Sequence, residues 1–307
     1  MDKIISLITR YDEAVDLLPY QFRGPARLID EMDKARAEEF RLRIGHVPTI
    51  VLPEGERPFS SSPVTGKELT AVLEVASAAS AHAVRDSLRH GYITARGGCR
   101  VGLGGQAAVR DGEVTGFLHL GSAAIRITKE IPGVADAILP QIKERGVLHS
   151  TLILSPPGGG KTTVLRDIVR QCSDGGRRVA VADERGELAA LKDGVPQMNL
   201  GSRTDVVAGC PKDKAVLMLL RAMNPEVIAM DEITAPADTS ALESAANCGV
   251  TLLATAHGHG LSDLMRKPMY RRLIRKGIFT RLVVITGGAG GRSYAVKEMG
   301  ETLCSAP

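Results

Sequence analysis

The second half of the chain alternates short apolar runs with longer segments in which apolar residues recur at helical spacing. The predicted strands are Thr151–Leu154, Arg178–Asp183, Glu226–Asp231 and Thr251–Ala256, with a β pair around residues 287–291. The predicted helices are Val164–Cys172, Lys212–Met223, Ala235–Asn247 and Leu261–Lys276, the last interrupted by a proline. Strands and helices in alternation predict a mainly parallel sheet that is covered on both faces.

The first half has a mixed pattern. Helical stripes cover Asp2–Leu18, Pro25–Glu39 and Thr65–Gly91, and strand-like alternation covers Phe40–Pro53. Short β segments punctuated by glycine follow from Tyr92 to Ile127, with a hairpin signal at Asp111-Gly112. We therefore expect an α+β domain over residues 1–145 and a second domain over residues 146–307.

The segment between the first strand and first helix of the second domain reads SPPGGGKTT. Three consecutive glycines let the backbone curl and direct its N–H groups at phosphate oxygens. Lys161 adds a positive charge, and the Thr162 hydroxyl is the expected ligand of Mg²⁺. The pattern is a Walker A loop whose first position holds Ser155 where glycine is usual. The predicted phosphate-binding residues are Ser155, Pro156, Pro157, Gly158, Gly159, Gly160, Lys161, Thr162 and Thr163.

A second motif, VIAMDE, consists of four apolar residues followed by Asp231 and Glu232. A buried strand of this kind delivers acids to the carboxyl edge of a parallel sheet, where ligands bind. We expect it to neighbour the Walker A strand, with Asp231 holding Mg²⁺ and Glu232 orienting or deprotonating the attacking water. The alternative is a pair of solvated carboxylates in a turn.

Two further strands end on polar residues. Glu184 follows the strand RVAVAD and is expected at the same edge, while Arg185 is placed either to pair with Glu187 or to face a neighbouring subunit. His257 ends the strand TLLATA, where it either senses the γ-phosphate or is simply a hydrogen-bonded histidine.

One glycine-rich segment and one basic segment are interpreted as structural features and not as binding sites. The run GLGG at residues 102–105 lacks a lysine and a following helix, which favours a tight turn of a sheet over a second nucleotide loop. The basic helix around Arg271 is typical of a solvated face, with contact to lipid headgroups or another protomer as the alternative.

Composition argues against some classes of protein. The net charge of +4 is too small to indicate nucleic-acid binding by itself, although it leaves room for a local basic patch. Aromatic residues make up 3% with no Trp, which argues against a surface that stacks unpaired bases. The five cysteines are scattered and indicate reduced, mostly buried thiols in a cytosolic protein. No window is apolar enough to cross a membrane, so we expect any membrane association to be peripheral.

Several ordered motifs together resemble the stage III sporulation protein AA family of endospore-forming bacteria, from about Arg41 onward. They are SPPGGGKTTVLRDIVR, VADERGELA, GSRTDVVAGCPK, LLRAMNPEVIAMDEI, LLATAHG and the earlier GYITARGGCRVGLGGQA. The resemblance implies a RecA-like P-loop NTPase domain similar to type II and type IV secretion ATPases, preceded by a smaller α+β domain. It also implies that Glu184 lies in an acidic box and His257 in a histidine box, both as catalytic residues.

The same resemblance implies a hexameric mother-cell ATPase that uses ATP and Mg²⁺. Such an enzyme would energise a channel complex between mother cell and forespore and work with membrane proteins at the forespore membrane, without nucleic acid. Arg185 and Arg203 are candidates for an arginine finger. The alternatives are a nucleic-acid-dependent RecA-like ATPase and a nucleotide-binding scaffold with negligible hydrolysis.

Overall fold

The computed structural model describes residues 2–77, 91–288 and 291–299. The chain divides into two compact units. The first comprises residues 1–131 together with residues 190–198, and the second comprises residues 132–189 and 199–307.

The first unit is a six-stranded sheet in the order β3-β2-β1-β6-β5-β4, with every described pairing antiparallel. Its strands are β1 (Glu39–Arg43), β2 (Thr49–Leu52), β3 (Gly55–Pro58), β4 (Tyr92–Thr94), β5 (Arg100–Arg110) and β6 (Glu113–Arg126). Its helices are α1 (Asp2–Val15), α2 (Tyr20–Arg27), α3 (Glu31–Arg36) and α4 (Gly66–Ser77). Fully buried aromatic side chains, Tyr11 and Phe40, lie with ring centroids 5.3 Å apart in its core.

The sequence-based boundaries of this unit need two corrections, and a third prediction lies mostly outside the described residues. The helix predicted over Pro25–Glu39 is instead two helices, because the Asp30 side chain accepts a hydrogen bond from the Asp33 N–H and starts α3. The short β segments predicted from Tyr92 to Ile127 are mainly two long strands joined at Asp111-Gly112. The part of the predicted Thr65–Gly91 helix beyond Ser77 lies almost entirely outside the described residues.

The run GLGG lies inside β5 and not in a turn. The register of β5 against β6 shifts between Gly104 and Gly105, as it does at a β-bulge. A Cβ on Gly105 would lie 2.1 Å from the His119 carbonyl oxygen, so the two backbones approach too closely for any side chain. The glycines therefore serve strand packing.

Residues 190–198 contact the first unit through Arg10, a half-buried arginine of α1. Arg10 donates to the Gln197 carbonyl at 3.1 Å and to the Glu130 carboxylate at 2.5 Å. The Gln197 side chain accepts from the Gly97 N–H at 3.1 Å. This returning segment was not predicted from the sequence, because it contains no periodic pattern.

The second unit contains a seven-stranded sheet in the order β11-β10-β12-β13-β9-β14-β15. Its strands are β9 (Thr151–Ser155), β10 (Val179–Asp183), β11 (Thr204–Ala208), β12 (Val227–Met230), β13 (Thr251–His257), β14 (Arg281–Gly288) and β15 (Gly291–Glu298), preceded by a small pair, β7 (Lys143–Glu144) and β8 (Val147–Leu148). All described pairings in the large sheet are parallel except that of β14 with β15. The predicted mainly parallel sheet is confirmed.

The helices of this unit are α5 (Lys161–Asp174), α6 (Lys212–Ala222), α7 (Pro236–Asn247), α8 (Leu261–Arg266) and α9 (Pro268–Arg275). Buried side chains of β9, β10, β12 and β13 form one core with apolar residues of α6, α7 and α9. Strand β9 is buried along its whole length, as its unbroken apolar run requires.

Two features of this unit differ from expectation. Strand β13 lies between β9 and β12, so the acidic strand does not neighbour the Walker A strand. The unit also begins at Pro132 by its contacts, upstream of the expected boundary at residue 146, because Ala135, Ile138 and Ile142 are fully buried.

The burial of the described cysteines agrees only in part with the prediction. Cys99 and Cys172 are buried free thiols as predicted, whereas the free Cys248 is exposed. Burial raises the pKa of the Cys172 thiol to about 11.

Across the part of the chain that the structure describes, no helix is long and apolar enough to span a lipid bilayer.

Asp167 of α5 holds the start of the second unit, and its loss should destabilise the fold. Its buried carboxylate accepts from the Ala135 N–H at 2.9 Å and from Arg170 at 2.7 Å. Asp167→Ala leaves a buried donor unpaired, so we expect a loss of about 2–3 kcal/mol in the free energy of unfolding, measured by urea denaturation. The control is Asp174→Ala, an exposed partner of the same arginine, which should cost under about 1 kcal/mol. Equal effects would contradict this role for Asp167.

Candidate nucleotide-binding site

The loop between β9 and α5 is a glycine turn that leads directly into a helix. Gly158 and Gly160 adopt φ values of 73° and 92°, which favour glycine. Helix α5 begins at Lys161, so its first N–H groups and the positive end of its dipole face the loop. Pro157 and Gly158 are exposed, and Thr163 is half-buried in the first turn of the helix.

Ser155 is accommodated at the first Walker A position because Gly159 lacks a side chain. The Ser155 hydroxyl is buried and donates to the Pro156 carbonyl at 2.8 Å. A Cβ on Gly159 would lie 2.4 Å from that hydroxyl oxygen. The substitution of serine for the usual glycine is thus compatible with the loop, provided that residue 159 stays glycine.

Asp231 joins two strands, β12 and β13, to the first turn of α5. It follows β12 and accepts hydrogen bonds from Thr162 Oγ1 at 3.1 Å and from Thr255 Oγ1 at 2.7 Å. Thr255, on β13, also accepts from the Glu232 N–H at 2.9 Å. The structure therefore brings the two predicted motifs together, and the intervening strand supplies the link.

His257 connects Lys161 to Glu232. Lys161 Nζ lies 2.8 Å from His257 Nδ1, and His257 Nε2 lies 3.0 Å from Glu232 Oε2. An ammonium group can only donate, so Nδ1 accepts and Nε2 carries the proton that faces the carboxylate. Burial lowers the pKa of Lys161, and the nearby charges of Glu232 and Asp231 act in the opposite direction. The lysine, the histidine and the glutamate form one connected group.

Asp183, at the end of β10, organises the loop that follows it. Its buried carboxylate accepts from the N–H groups of Glu187 at 2.8 Å and Ala189 at 2.8 Å. Arg166 of α5 donates from the other side to the carbonyls of Glu187 and Leu188. Burial raises the pKa of Asp183 above its ordinary value, although its N–H partners act to lower it.

Lys212 is a site residue that the sequence analysis missed. This buried lysine at the start of α6 donates to the Glu232 carbonyl at 2.7 Å and to Thr234 Oγ1 at 3.2 Å. It also pairs with Glu184 at 3.4 Å. A pocket beside it is lined by Asp183, Glu184, Arg185, Glu187, Lys212, Asp231 and Glu232. A lysine next to the turn residues CP gives little sequence signal, since its role depends on where α6 packs.

The two candidate arginine fingers lie in different places. Arg185 lines the pocket of its own chain. Arg203 precedes β11 at the amino-terminal edge of the sheet and donates to the Gly176 carbonyl at 2.9 Å. Because the pocket is at the carboxyl edge, Arg203 is remote from the site of its own chain.

The basic helix is partly a structural element. Arg272 binds both oxygens of the Glu243 carboxylate, at 2.6 and 2.7 Å, and Lys276 binds the same carboxylate at 2.9 Å. These two cations attach α9 to α7. Arg271 and Arg275 remain exposed on the same helix.

The residues present fit a Mg²⁺-nucleotide better than a metal held by protein alone. Within the described ranges, no group of three or more His, Cys, Asp or Glu side chains converges as a metal cage. The Thr162 hydroxyl and the Asp231 carboxylate lie side by side and offer oxygen atoms of the kind that Mg²⁺ prefers as ligands.

Comparison with known proteins assigns the family. The profile of sporulation stage III, protein AA, matches residues 11–300. The chain belongs to the sporulation stage III protein AA family. This family member is 35% identical over 284 residues to stage III sporulation protein AA of Bacillus subtilis (strain 168), which covers 91% of this chain and 92% of that relative. The predicted family is confirmed.

Solved structures show that this stage III protein AA family member has the fold of P-loop secretion ATPases. The ATPase DotB of Yersinia pseudotuberculosis aligns with a TM-score of 0.62 at 14% identity, over 94% of this chain and 83% of DotB. The pilus retraction motor PilT with bound ADP aligns with a TM-score of 0.58 at 17% identity, over 85% of this chain and 78% of PilT. The predicted fold class is confirmed.

The raised pKa of Asp183 makes a testable contribution to pH-dependent stability. A native pKa above the ordinary 3.8 means that the folded state favours the protonated acid, so this group's contribution to stability falls as the pH rises through the native pKa. Asp183→Asn removes hydrogen bonds to the loop and should cost about 1–3 kcal/mol. That cost should be largest near about pH 4 and shrink towards about pH 7.

The measurement is the difference in unfolding free energy between wild type and variant across this pH range. Asp205→Asn, at an exposed position on β11, controls for the change of residue type. A cost for Asp183→Asn that grows with pH would contradict a raised native pKa.

Proposed function

We propose that the chain is an ATP-hydrolysing motor subunit. The observation that carries this proposal is the single hydrogen-bonded network that joins Lys161 and Thr162 of the glycine loop to Asp231, Glu232 and His257. A glycine turn alone is a weak signal of nucleotide binding. A cation, a hydroxyl and two carboxylates converging on that turn supply the groups that phosphoryl transfer to water requires.

The glycine loop and the start of α5 would bind the triphosphate. The N–H groups of Gly158, Gly160 and Lys161 lie in the turn and at the helix start, where unpaired donors accumulate. Lys161 exchanges its histidine contact for the β- and γ-phosphates. The ammonium is already in place, because its stem is buried against the loop.

Glu232 would act as the base. Its carboxylate accepts the proton of the attacking water as the water oxygen bonds to the γ-phosphorus and the bond to the bridging β-γ oxygen breaks, which releases ADP and phosphate. His257 donates to Glu232 and so orients the carboxylate. Lys212, through the Glu232 carbonyl, and Thr255, through the Glu232 N–H, hold the backbone from both sides. Glu184, which lines the pocket and pairs with Lys212, would be a further catalytic residue of this group.

Thr162 and Asp231 would hold Mg²⁺. The metal, when bound, neutralises charge on the phosphate oxygens. The Thr255 hydroxyl donates to one carboxylate oxygen of Asp231, Oδ1. The other oxygen, Oδ2, therefore faces Thr162.

At the level of the cell, we propose that the motor energises a secretion-like channel complex between mother cell and forespore. Family membership and the secretion-ATPase fold support this role. The subunits would assemble as a hexamer in the mother-cell cytoplasm and associate peripherally with membrane proteins at the forespore membrane.

Glu232→Gln should separate binding from hydrolysis. Removing a general base lowers turnover by about 100-fold or more, while the phosphate cradle remains intact. We expect the variant to retain ATP that Lys161→Ala fails to bind, with turnover measured by phosphate release and occupancy by filter binding. The matched control is Glu243→Gln on α7, whose carboxylate contacts only the basic helix among the described contacts. Wild-type turnover by Glu232→Gln, or no uptake of Mg²⁺-ATP by wild type, would refute the proposal.

An arginine supplied by a neighbouring subunit should make activity depend on assembly. A trans arginine contributes about 10³ to 10⁵ in rate, so a monomeric preparation should be nearly inactive. Mixing Lys161→Ala protein with Arg203→Ala protein tests this directly, since one variant keeps the arginine and the other keeps the site. Recovered ATP turnover in the mixture identifies Arg203 as the finger. The corresponding mixture of Lys161→Ala protein with Arg185→Ala protein tests Arg185. Full turnover by a strictly monomeric preparation would exclude the trans contribution.

A further inference from the structure

The antiparallel pair β14 and β15 extends past the edge of the sheet beside the glycine loop. The last described pair between β14 and β9 is Val284 with Leu154, whereas β14 continues to Gly288. The extension carries the start of β15, with Arg292 opposite Gly287. A hydrogen bond of 2.6 Å between Thr286 Oγ1 and Ser293 Oγ connects the two strands here. The hairpin therefore brings residues from near the end of the chain to the loop.

Arg292 lies directly on the glycine loop. A Cβ built on Gly160 would lie 2.9 Å from Arg292 Nη1 and 3.0 Å from Cζ, so the guanidinium packs against the bare α-carbon of Gly160. The exposed Arg292 has no hydrogen-bond or ion-pair partner among the described residues. By contrast, Arg281 at the other end of the hairpin pairs with Glu144 and Glu298.

The charges around the loop favour an anion at this guanidinium. Lys161 and the amino-terminal end of α5 already make the loop positive, and Arg292 adds a second full charge. Bringing two cations to one turn is unfavourable unless an anion shares them. A guanidinium presents several donors in a planar fork that matches phosphate oxygens.

We infer that Arg292 is a phosphate-binding residue of the nucleotide site, supplied by the same chain as the glycine loop. This inference rests on the proposed nucleotide binding and adds a cationic group from the end of the chain. It is distinct from an arginine finger, because Arg292 lies on the loop of its own subunit. It also gives Gly160 a second reason to be glycine, since a side chain there would displace the guanidinium.

The test is equilibrium binding of Mg²⁺-ATP and inorganic triphosphate to the full-length protein. Loss of a hydrogen bond to a charged group predicts that Arg292→Ala weakens both ligands by about tenfold to 100-fold. The deficit should shrink at high salt, and Arg292→Lys should recover part of the affinity. Lys297→Ala, a loss of positive charge further along β15, is the matched control and should bind both ligands as wild type does.

The outcomes separate this inference from the proposed function. If wild type binds neither ligand, the proposed function fails as a whole. If wild-type binding depends on Lys161 and Arg292→Ala matches wild type within about twofold, only the inference is overturned. A loss for ATP without a loss for triphosphate places the guanidinium on the adenosine part of the nucleotide and overturns the inference as well. Recovery of turnover on mixing Arg292→Ala with Lys161→Ala protein would overturn the assignment to the same subunit.

Discussion

The candidate site depends on one hydrogen-bonded link, Thr162 to Asp231 to Thr255, at the carboxyl edge of the parallel sheet. Three parallel strands place their last residues along this edge, and each strand is buried along nearly its whole length. Polar groups at the end of such strands need partners once water is excluded. The threonine hydroxyls satisfy Asp231 and thereby fix the spacing between the glycine loop and the acidic strand.

The sequence indicated which residues of the two motifs lie together more completely than it indicated how the strands that carry them are arranged. Each of the two motifs can be recognised in the sequence because its residues are contiguous and its backbone conformation permits few residue types. The motifs are residues 158–161 and the acids Asp231 and Glu232. The order of the strands is not local. Apolar runs of similar length can occupy several positions in a sheet. The position of β13 between β9 and β12 is therefore known only from the structure. Thr255 gained its role through that position.

Residues that reach the site from distant elements were missed for the same reason. Lys212 begins a helix and Arg292 lies on the last strand pair, and neither position carries a local signal of its place at the site. Glycine inside β5 was interpreted as a turn, because a bulge and a turn make the same demand for small residues. The contacts of residues 135–142 with the second unit have no counterpart in the sequence pattern, since these buried residues contain no long periodic run.

The chain crosses between the two units three times, because residues 190–198 return to the first unit after β9, the glycine loop and α5 have been passed. During synthesis the ribosome therefore releases β9, the glycine loop and α5 before the amino-terminal unit has its last segment. The contacts of Arg10 can be completed only after Gln197, nearly two hundred residues later, has been synthesised. Maturation of the two units is interleaved along the nascent chain, in contrast to the one-domain-at-a-time order of simple tandem proteins.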